Sequence, residues 1–206
     1  MPRKNVEKKL IENGYYHVFN KGVAKRSIFK GKDDFEYFEL LLLRYLNQDI
    51  TRDKYEREYP LYRAELDVIS YCLTPKSLHL LVRQHEDKNA LPKLMRSLSN
   101  SYTSYFNKVH RRSGPVFEGT YKASLIDNHE FLVHVSRHIH LQTDKYTRWP
   151  YSSLPYYLGQ KQAIWMNVHL MQEVFDKNPS SYIAFLADKE SYESSLKYIS
   201  GILADK

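Results

Sequence analysis

The sequence has little cysteine, little glycine and no long apolar run. Among its 206 residues, 1 is cysteine and 7 are glycine. The single cysteine, Cys72, excludes an intrachain disulfide and a cysteine-based zinc site, so we expect it to fill space in the core. No run approaches the ~20 apolar residues that a membrane-spanning helix needs. Residues 1–4 lead to no apolar segment of a signal peptide, which predicts a cytoplasmic location.

Positive charge, in contrast, is in excess. The chain has 31 lysines and arginines against 24 acidic residues, a formal net charge of +7. Basic side chains that neutralise phosphates gain free energy by releasing counterions, so this balance favours a polyanionic partner. With 42% hydrophobic and 27% charged residues, the composition is that of a folded globular protein.

The first 148 residues alternate between strand and helix patterns. Strands are predicted at 15–20, 66–71, around His79 and at 116–126, and helices at 33–46, 90–109 and 129–142, with Asn128 as the cap of the last. The charged stretch 49–63 is either an exposed loop or a helix extension. The order strand, helix, strand, strand, helix, strand predicts an α/β protein of the ferredoxin-like (split βαβ) type, an antiparallel sheet with helices on one face.

The pattern changes after residue 148. Short amphipathic pieces follow near 168–175, 179–186 and 192–203. We therefore expect two parts, a main domain at 1–148 and a helical C-terminal appendage at 149–206 packed on it.

The stretch 71–82 contains the most informative polar residues. Read as a turn that leads into a strand, it puts Ser77 and His79 on one face and Leu78, Leu80 and Val82 on the other, because side chains alternate along a strand. His79 is then either a hydrogen-bonded strand histidine or part of a phosphate or metal site.

Five segments together resemble a known family. They are YHVFNKG at 16–22, LTPKSLHLL at 73–81, SYTSYFN at 101–107, GPVFEGTYK at 114–122 and RHIHLQ at 137–142. In this order, and over about residues 14–187, they resemble the tyrosine transposases associated with repetitive extragenic palindromes (REP), which belong to the single-tyrosine HUH transposases. The HUH motif is a pair of histidines that flank one hydrophobic residue on a central strand.

The resemblance implies DNA strand cleavage and transfer. In the family a tyrosine attacks a phosphodiester of single-stranded DNA and leaves a 5′-phosphotyrosine and a free 3′-OH, while two histidines and an amide hold a divalent ion, magnesium or manganese. By position, the first histidine falls on Ser77, the second on His79, the tyrosine on His138 and the amide on Gln142. Thr120 stands where the family usually has arginine. Because Ser77 stands at the position of the first metal-binding histidine, the divalent metal could be lost in this chain.

Helical spacing independently brings His138 and Gln142 together. The two are four residues apart beside an apolar stripe that includes Val135 and Ile139, and His140 points away. His134 lies one turn before His138. The set His79, His134, His138 and Gln142 is an alternative site for zinc, nickel or copper.

Basic residues in loops are candidate DNA contacts, with plain solvation as the alternative. They are Lys21, Lys25, Arg26, Lys76, Arg111, Arg112 and Lys122. For Tyr102, Tyr105 and Phe106, the helical spacing favours core packing over base stacking.

The sequence thus predicts a transposase-like protein that binds single-stranded or hairpin DNA, with strand transfer weakened or lost. A first alternative is an active transposase with a relocated nucleophile, for which the tyrosines just past the helix are candidates: Tyr146, Tyr151, Tyr156 and Tyr157. A second is an interaction scaffold that binds no nucleic acid. No membrane partner is expected, and a homodimer is left open.

Overall fold

The computed structural model of the chain describes residues 9–206. Residues 1–4, on which the signal-peptide prediction rests, and the first eight residues of the predicted main domain lie outside the described part. Within residues 9–206, no helix is long and apolar enough to cross a membrane.

Four strands form one antiparallel sheet in the order β2-β3-β1-β4. The strands are β1 (Tyr15–Lys21), β2 (Leu66–Thr74), β3 (Ser77–Gln84) and β4 (Lys122–Ile126). The helices are α1 (Lys32–Leu46), α2 (Ala90–Val109), α3 (Glu130–His140), α4 (Leu154–Tyr157), α5 (His169–Val174), α6 (Pro179–Ala187) and α7 (Lys189–Ile199). The predicted ferredoxin-like arrangement with a helical appendage is confirmed.

The sheet is covered on both faces, whereas the sequence predicted helices on one. Val18 and Leu80 pack with α1 and α2 in one core, and Leu81 and Cys72 pack with α3, α6 and α7 in a second. The reason is visible in β2, where the side chains on both faces of the strand are mostly apolar and buried. A strand that is apolar on both sides requires cover on both sides.

Three predicted elements have different bounds. The strand predicted at 116–126 is reduced to β4, because residues 116–121 form a single bridge from Gly22 to Phe117 and a turn with Gly119 at φ +77°. The last helix of the main domain ends at His140, and its N-cap position is His129, which makes no side-chain cap bond. The predicted cap, Asn128, lies one residue earlier and accepts the Glu130 N–H at Oδ1 over 2.8 Å. The helix predicted at 192–203 is α7, which ends at Ile199, and residues 49–63 form an irregular loop.

The chain after α3 covers the outer edge of β2. Leu73 N–H donates to Tyr151 O, and Ser153 N–H donates to Tyr71 O, each over 2.9 Å. Asn167 N–H donates to Val68 O, also over 2.9 Å. The predicted division at residue 148 stays a prediction.

Candidate histidine site

Two central strands bring His17 and His79 together. Across the β1–β3 pair, His79 lies opposite Phe19 and His17 opposite Leu81, so the histidines are diagonal neighbours on one face. His17 Nε2 lies 3.3 Å from His79 Nδ1, and both rings are buried. This face points toward α3.

Helix α3 adds a third imidazole. The His138 ring centroid lies 5.8 Å from that of His17 and 6.2 Å from that of His79. Its Nδ1 lies 2.9 Å from the Tyr192 hydroxyl on α7, and its Nε2 lies 3.2 Å from Asp205 Oδ2. Because a carboxylate only accepts hydrogen bonds, Nε2 carries a proton in this contact and donates it to Asp205.

Residues 203–206, which we call the covering segment, lie against the histidines. The Ala204 N–H donates to His17 Nδ1 over 3.0 Å. The next residue, Asp205, places Oδ1 3.9 Å from the same nitrogen. The Leu203 side chain is buried in the second core and anchors the segment.

Hydrogen bonding fixes the tautomers of both strand histidines. Since a backbone amide only donates, His17 Nδ1 is unprotonated and its proton lies on Nε2, which donates to His79 Nδ1. The His79 proton therefore lies on Nε2 and faces Ser77 Oγ at 3.3 Å. Ser77 Oγ in turn lies 2.8 Å from Thr74 Oγ1.

Burial sets the ionisation of the site. It lowers the pKa of His79 to about 3 and the pKa of His17 well below its usual value, so both rings are neutral at pH 7. For Asp205, burial would raise the pKa, but the hydrogen bond from His138 outweighs it and the carboxyl pKa lies below its ordinary range. Burial and the nearby Asp205 raise the pKa of Tyr192.

Three of these residues could hold a metal ion. One ligand atom each from His17, His79 and Asp205 lies within 4.8 Å of the other two. Two imidazoles and a carboxylate fit zinc or a similar transition ion, whereas magnesium prefers oxygen ligands. Ser77 supplies only a hydroxyl at the first histidine position, so the set that the family resemblance implies lacks one imidazole.

Most of the predicted site residues lie near this cluster. Ser77 and His79 are in contact on one face, as expected. Gln142 reaches His138 instead of a shared metal position, since its amide Nε2–H donates to the His138 backbone oxygen over 3.0 Å and lies 3.0 Å from His138 Nε2.

Two other histidines of α3 lie apart from the site. The His134 ring packs on Phe185, with 5.8 Å between centroids, so the predicted set that joins His134 to His79 is not assembled. His140 points away as predicted but is buried, because the appendage covers its side of α3. Its Nδ1 lies 2.7 Å from the Tyr182 hydroxyl oxygen, and its Nε2 lies 2.6 Å from Ser153 Oγ.

The sequence interpretation missed His17, Tyr192 and Asp205. His17 alternates with Tyr15 and Phe19 in β1, which was a signal for a shared face with His79 once the two strands pair. Nothing local marks Tyr192 or Asp205, which come to the site only through the packing of α7 and the segment that follows it.

The loops that carry the predicted DNA contacts converge beside this site. Gly22 N–H donates to Lys76 O over 2.9 Å, and Val23 N–H donates to Val116 O over 3.0 Å. These bonds join the loop after β1, the β2–β3 turn and the segment after α2. The exposed basic side chains on them are Lys25, Arg26, Lys76 and Arg111.

The other three predicted contacts have protein partners. Lys21 Nζ pairs with Glu118 Oε2 at 3.1 Å, and Lys122 Nζ lies 5.9 Å from the Phe19 ring centroid. The Arg112 guanidinium donates to Pro115 O and lies over the Phe106 ring. Tyr102 and Phe106 are fully buried and Tyr105 stacks on Tyr37 at 3.7 Å, which confirms packing for this group.

No protein-family model and no curated protein matches this sequence. Among solved structures, the chain is similar to a REP-associated tyrosine transposase bound to a REP hairpin, with a TM-score of 0.59, 11% identity and coverage of 81% of this chain and 93% of that chain. A candidate transposase from Deinococcus radiodurans R1 gives a TM-score of 0.40 at 11% identity and covers 66% of this chain and 95% of that chain. The first likeness shows that this chain has the fold of a REP-associated tyrosine transposase.

Proposed function

We propose that this protein binds single-stranded or hairpin DNA and that its strand-transfer chemistry is weakened or lost. The observation that carries the proposal is the convergence of three basic loops beside a buried histidine cluster, in the fold of a transposase whose solved structure holds a REP hairpin. Lysine and arginine on adjoining loops suit an unpaired or irregular phosphate backbone.

An open cleft beside the histidines supports contact with DNA. It measures about 330 Å³ and its lining includes Phe19, Lys21, Thr120 and Lys122. Phe19 separates the cleft from the histidine cluster, since its ring centroid lies 4.8 Å from that of His79. A phosphate in this cleft would lie beside Lys21 and Lys122, and the exchange of the family arginine for Thr120 removes one further contact.

The proposed loss of chemistry follows from α3. His138 occupies the tyrosine position, and its ring is engaged by Tyr192 and Asp205. When bound, a divalent metal would polarise a scissile phosphate. The residues that would hold it here are His17, His79 and Asp205, and we propose that zinc or a similar ion that favours imidazole ligands replaces magnesium or manganese at this position.

Binding to DNA of three shapes tests the proposal. We expect the protein to bind a labelled hairpin and a single strand with an affinity that falls steeply with salt, and to bind a fully paired duplex of the same composition more weakly. Fluorescence anisotropy at two salt concentrations measures both effects. Absence of binding, or equal and salt-independent binding to all three DNAs, would favour the interaction scaffold.

A second candidate is an active transposase with a relocated tyrosine, and Tyr192 favours it. Its hydroxyl lies 2.9 Å from His138 Nδ1, which could accept the phenolic proton while the phenol oxygen bonds to phosphorus. The P–O3′ bond would break, and a solvent proton would complete the 3′-OH.

Two of the tyrosines predicted for this role are engaged elsewhere. Tyr157 is buried and hydrogen-bonded to Ser70 Oγ at 2.5 Å, and Tyr151 stacks on Phe35. A Tyr192→Phe variant separates the candidates, because it abolishes a covalent adduct only if Tyr192 forms it.

A further inference from the structure

We infer that the half-buried ring of Tyr151 is a stacking site for one unpaired nucleobase of a bound DNA strand. The inference deepens the proposed function and rests on it, since it names the part of the DNA that this surface would take. The site is built by residues 28–35 and 149–151 beside the β2–β3 turn, and it includes none of the histidines.

Three aromatic rings, which we call the aromatic stack, run from the core to the surface. The Phe29 and Phe35 centroids are 4.6 Å apart with 12° between the ring planes, and the Phe35 and Tyr151 centroids are 4.2 Å apart with 6°. At these distances one face of a ring has room for only one parallel neighbour, so Phe29 and Tyr151 lie on opposite faces of Phe35. Both phenylalanines are buried and Tyr151 is half-buried, which makes Tyr151 the outer end of the stack.

Trp149 lies beside the aromatic stack and forms a side wall. Its ring centroid is 5.6 Å from the centroid of Phe35 and also 5.6 Å from that of Tyr151, and its plane is nearly perpendicular to both. A ring on the outer face of Tyr151 would lie much farther from Phe35 than from Tyr151. The indole therefore leaves that outer face clear, and a planar ligand there would continue the stack in the offset-parallel geometry that aromatic rings prefer.

Hydrogen bonds fix both halves of the site to the β2–β3 hairpin. The Phe29 N–H donates to Pro75 O over 3.1 Å. The Trp149 indole N–H donates to Leu73 O over 2.8 Å, and the Leu73 N–H donates to Tyr151 O over 2.9 Å. The rings are thus held in position before a ligand arrives, so that little ordering of side chains opposes binding.

The charge around the site favours a nucleotide over an apolar ligand. Two acids of α1 close to Tyr151 are engaged, since Glu36 pairs with Lys32 at 3.3 Å and Glu39 accepts the Tyr71 hydroxyl. A base stacked on Tyr151 would have a phosphate on each side, and cations next to an aromatic surface are typical of single-strand binding. The exposed cations that adjoin the segments of the site are Lys30, Lys32, Lys76 and Arg148.

The occupant is an unpaired base, because a base inside a duplex has both faces covered by its neighbours. Stacking on a tyrosine ring is tolerant of sequence, since every base has a π-face. The site would therefore hold a base of a single strand, or of the unpaired part of a hairpin, without selecting its identity.

A strand without bases tests the inference. A single strand of deoxyadenosines and a strand of equal length made of abasic sites carry the same charge, so the difference between their affinities reports contacts to bases. In Tyr151→Leu the affinity for the deoxyadenosine strand should fall by about fivefold to thirtyfold, while the affinity for the abasic strand stays unchanged. Fluorescence anisotropy measures both affinities.

Two controls accompany this variant. Tyr151→Phe keeps the ring and should bind both strands like the unchanged chain. Tyr55→Leu removes an exposed tyrosine that also lies beside two cations, Lys54 and Arg57, and it should have almost no effect. An affinity for the deoxyadenosine strand that is the same in Tyr151→Leu and in Tyr55→Leu would overturn the inference.

Photo-crosslinking tests the unchanged chain and needs no folded variant. 5-Iodouracil, placed at successive positions of a bound single strand, crosslinks under ultraviolet light to an aromatic ring that stacks on it. Mass spectrometry of the peptides then identifies the residue, which we expect to be Tyr151 or Trp149. Crosslinks of the bound strand only to other residues, such as Phe19 in the open cleft, would overturn the inference.

The two strands also separate the failure of this inference from the failure of the proposed function. If the unchanged chain binds both strands equally and with a steep salt dependence, DNA binding stands and the stacking site is wrong. If the unchanged chain binds neither strand, the proposed function fails and the stacking site fails with it.

Discussion

His138 stands between Tyr192 and Asp205, with Nδ1 2.9 Å from the phenol oxygen and Nε2 3.2 Å from the carboxylate. The imidazole that the family resemblance places at the tyrosine position is thus held by two side chains. We predict that the unchanged protein forms no denaturation-resistant adduct with hairpin DNA in magnesium or manganese. Gel electrophoresis under denaturing conditions measures this, and an adduct that disappears in Tyr192→Phe would establish Tyr192 as a relocated nucleophile.

The double change Ser77→His with His138→Tyr should restore a covalent adduct. It rebuilds the pair of histidines around Leu78 and returns a phenol to α3, while His79 and Gln142 stay. Each single variant is the matched control and should give less adduct than the double variant, because one lacks the nucleophile and the other lacks a metal ligand. If the double variant binds the hairpin and forms no adduct, the four-residue assignment is wrong.

Acid should destabilise the fold well above the pH at which carboxylates titrate. Burial lowers the pKa of His140 from 6.5 to about 3. Below pH 6.5 the unfolded chain therefore binds a proton at this histidine, whereas the folded chain binds it only near pH 3. The contribution of this histidine is complete above pH 6.5 and is lost as the pH falls toward 3. Between pH 7 and pH 5 the loss is about 2 kcal/mol for each such histidine.

Urea denaturation of the unchanged protein and of His140→Gln at the two pH values measures this contribution. The variant should be less stable at pH 7, because it loses hydrogen bonds to Tyr182 and Ser153. Its stability should change less with pH, by about 2 kcal/mol. Identical pH dependence would mean that His140 is not held neutral.

Exposed basic residues at the loop end of the sheet should contribute to DNA binding through phosphate contacts. Arg111→Ala should lower the hairpin affinity for every sequence and reduce the slope of log K against log salt by roughly 0.7 to 0.9. Lys54→Ala is the control for net charge. Lys54 is exposed in the loop that follows the C-terminal end of α1 and does not lie on the three loops proposed to bind DNA. Equal effects of the two variants would mean that binding follows net charge alone.

Arg137 should stabilise the contact between α3 and the appendage. Its buried guanidinium donates to Phe185 O and to Ser191 Oγ and lies 3.5 Å from the Phe185 ring centroid. The single ammonium group of lysine cannot make both hydrogen bonds and also stack on the ring. Arg137→Lys should therefore lower the free energy of unfolding by about 2 kcal/mol. Chemical denaturation measures the loss, and the same change at exposed Arg26 should have almost no effect.

The sequence predicted the sheet well because strand alternation and helical spacing are local. Leu78, Leu80 and Val82 mark one face of β3 by their spacing alone, and Asn128 marks the start of α3. The site was predicted in part, for His79 and His138, since both lie in recognisable segments. The contacts of His17 with Ala204 and of His138 with Asp205 span 187 and 67 positions. No periodicity carries such information, because these contacts depend on how the appendage packs.

Within residues 9–206 the sheet has two edge strands, β2 and β4, and β2 is already occupied along its outer side. The outer backbone groups of β2 already bond to Tyr151, Ser153 and Asn167. A homodimer built by sheet extension would therefore have to use β4. By occupying β2, the appendage also protects the most apolar strand of the sheet against edge-to-edge aggregation, which is a role separate from the cover it gives to the histidines.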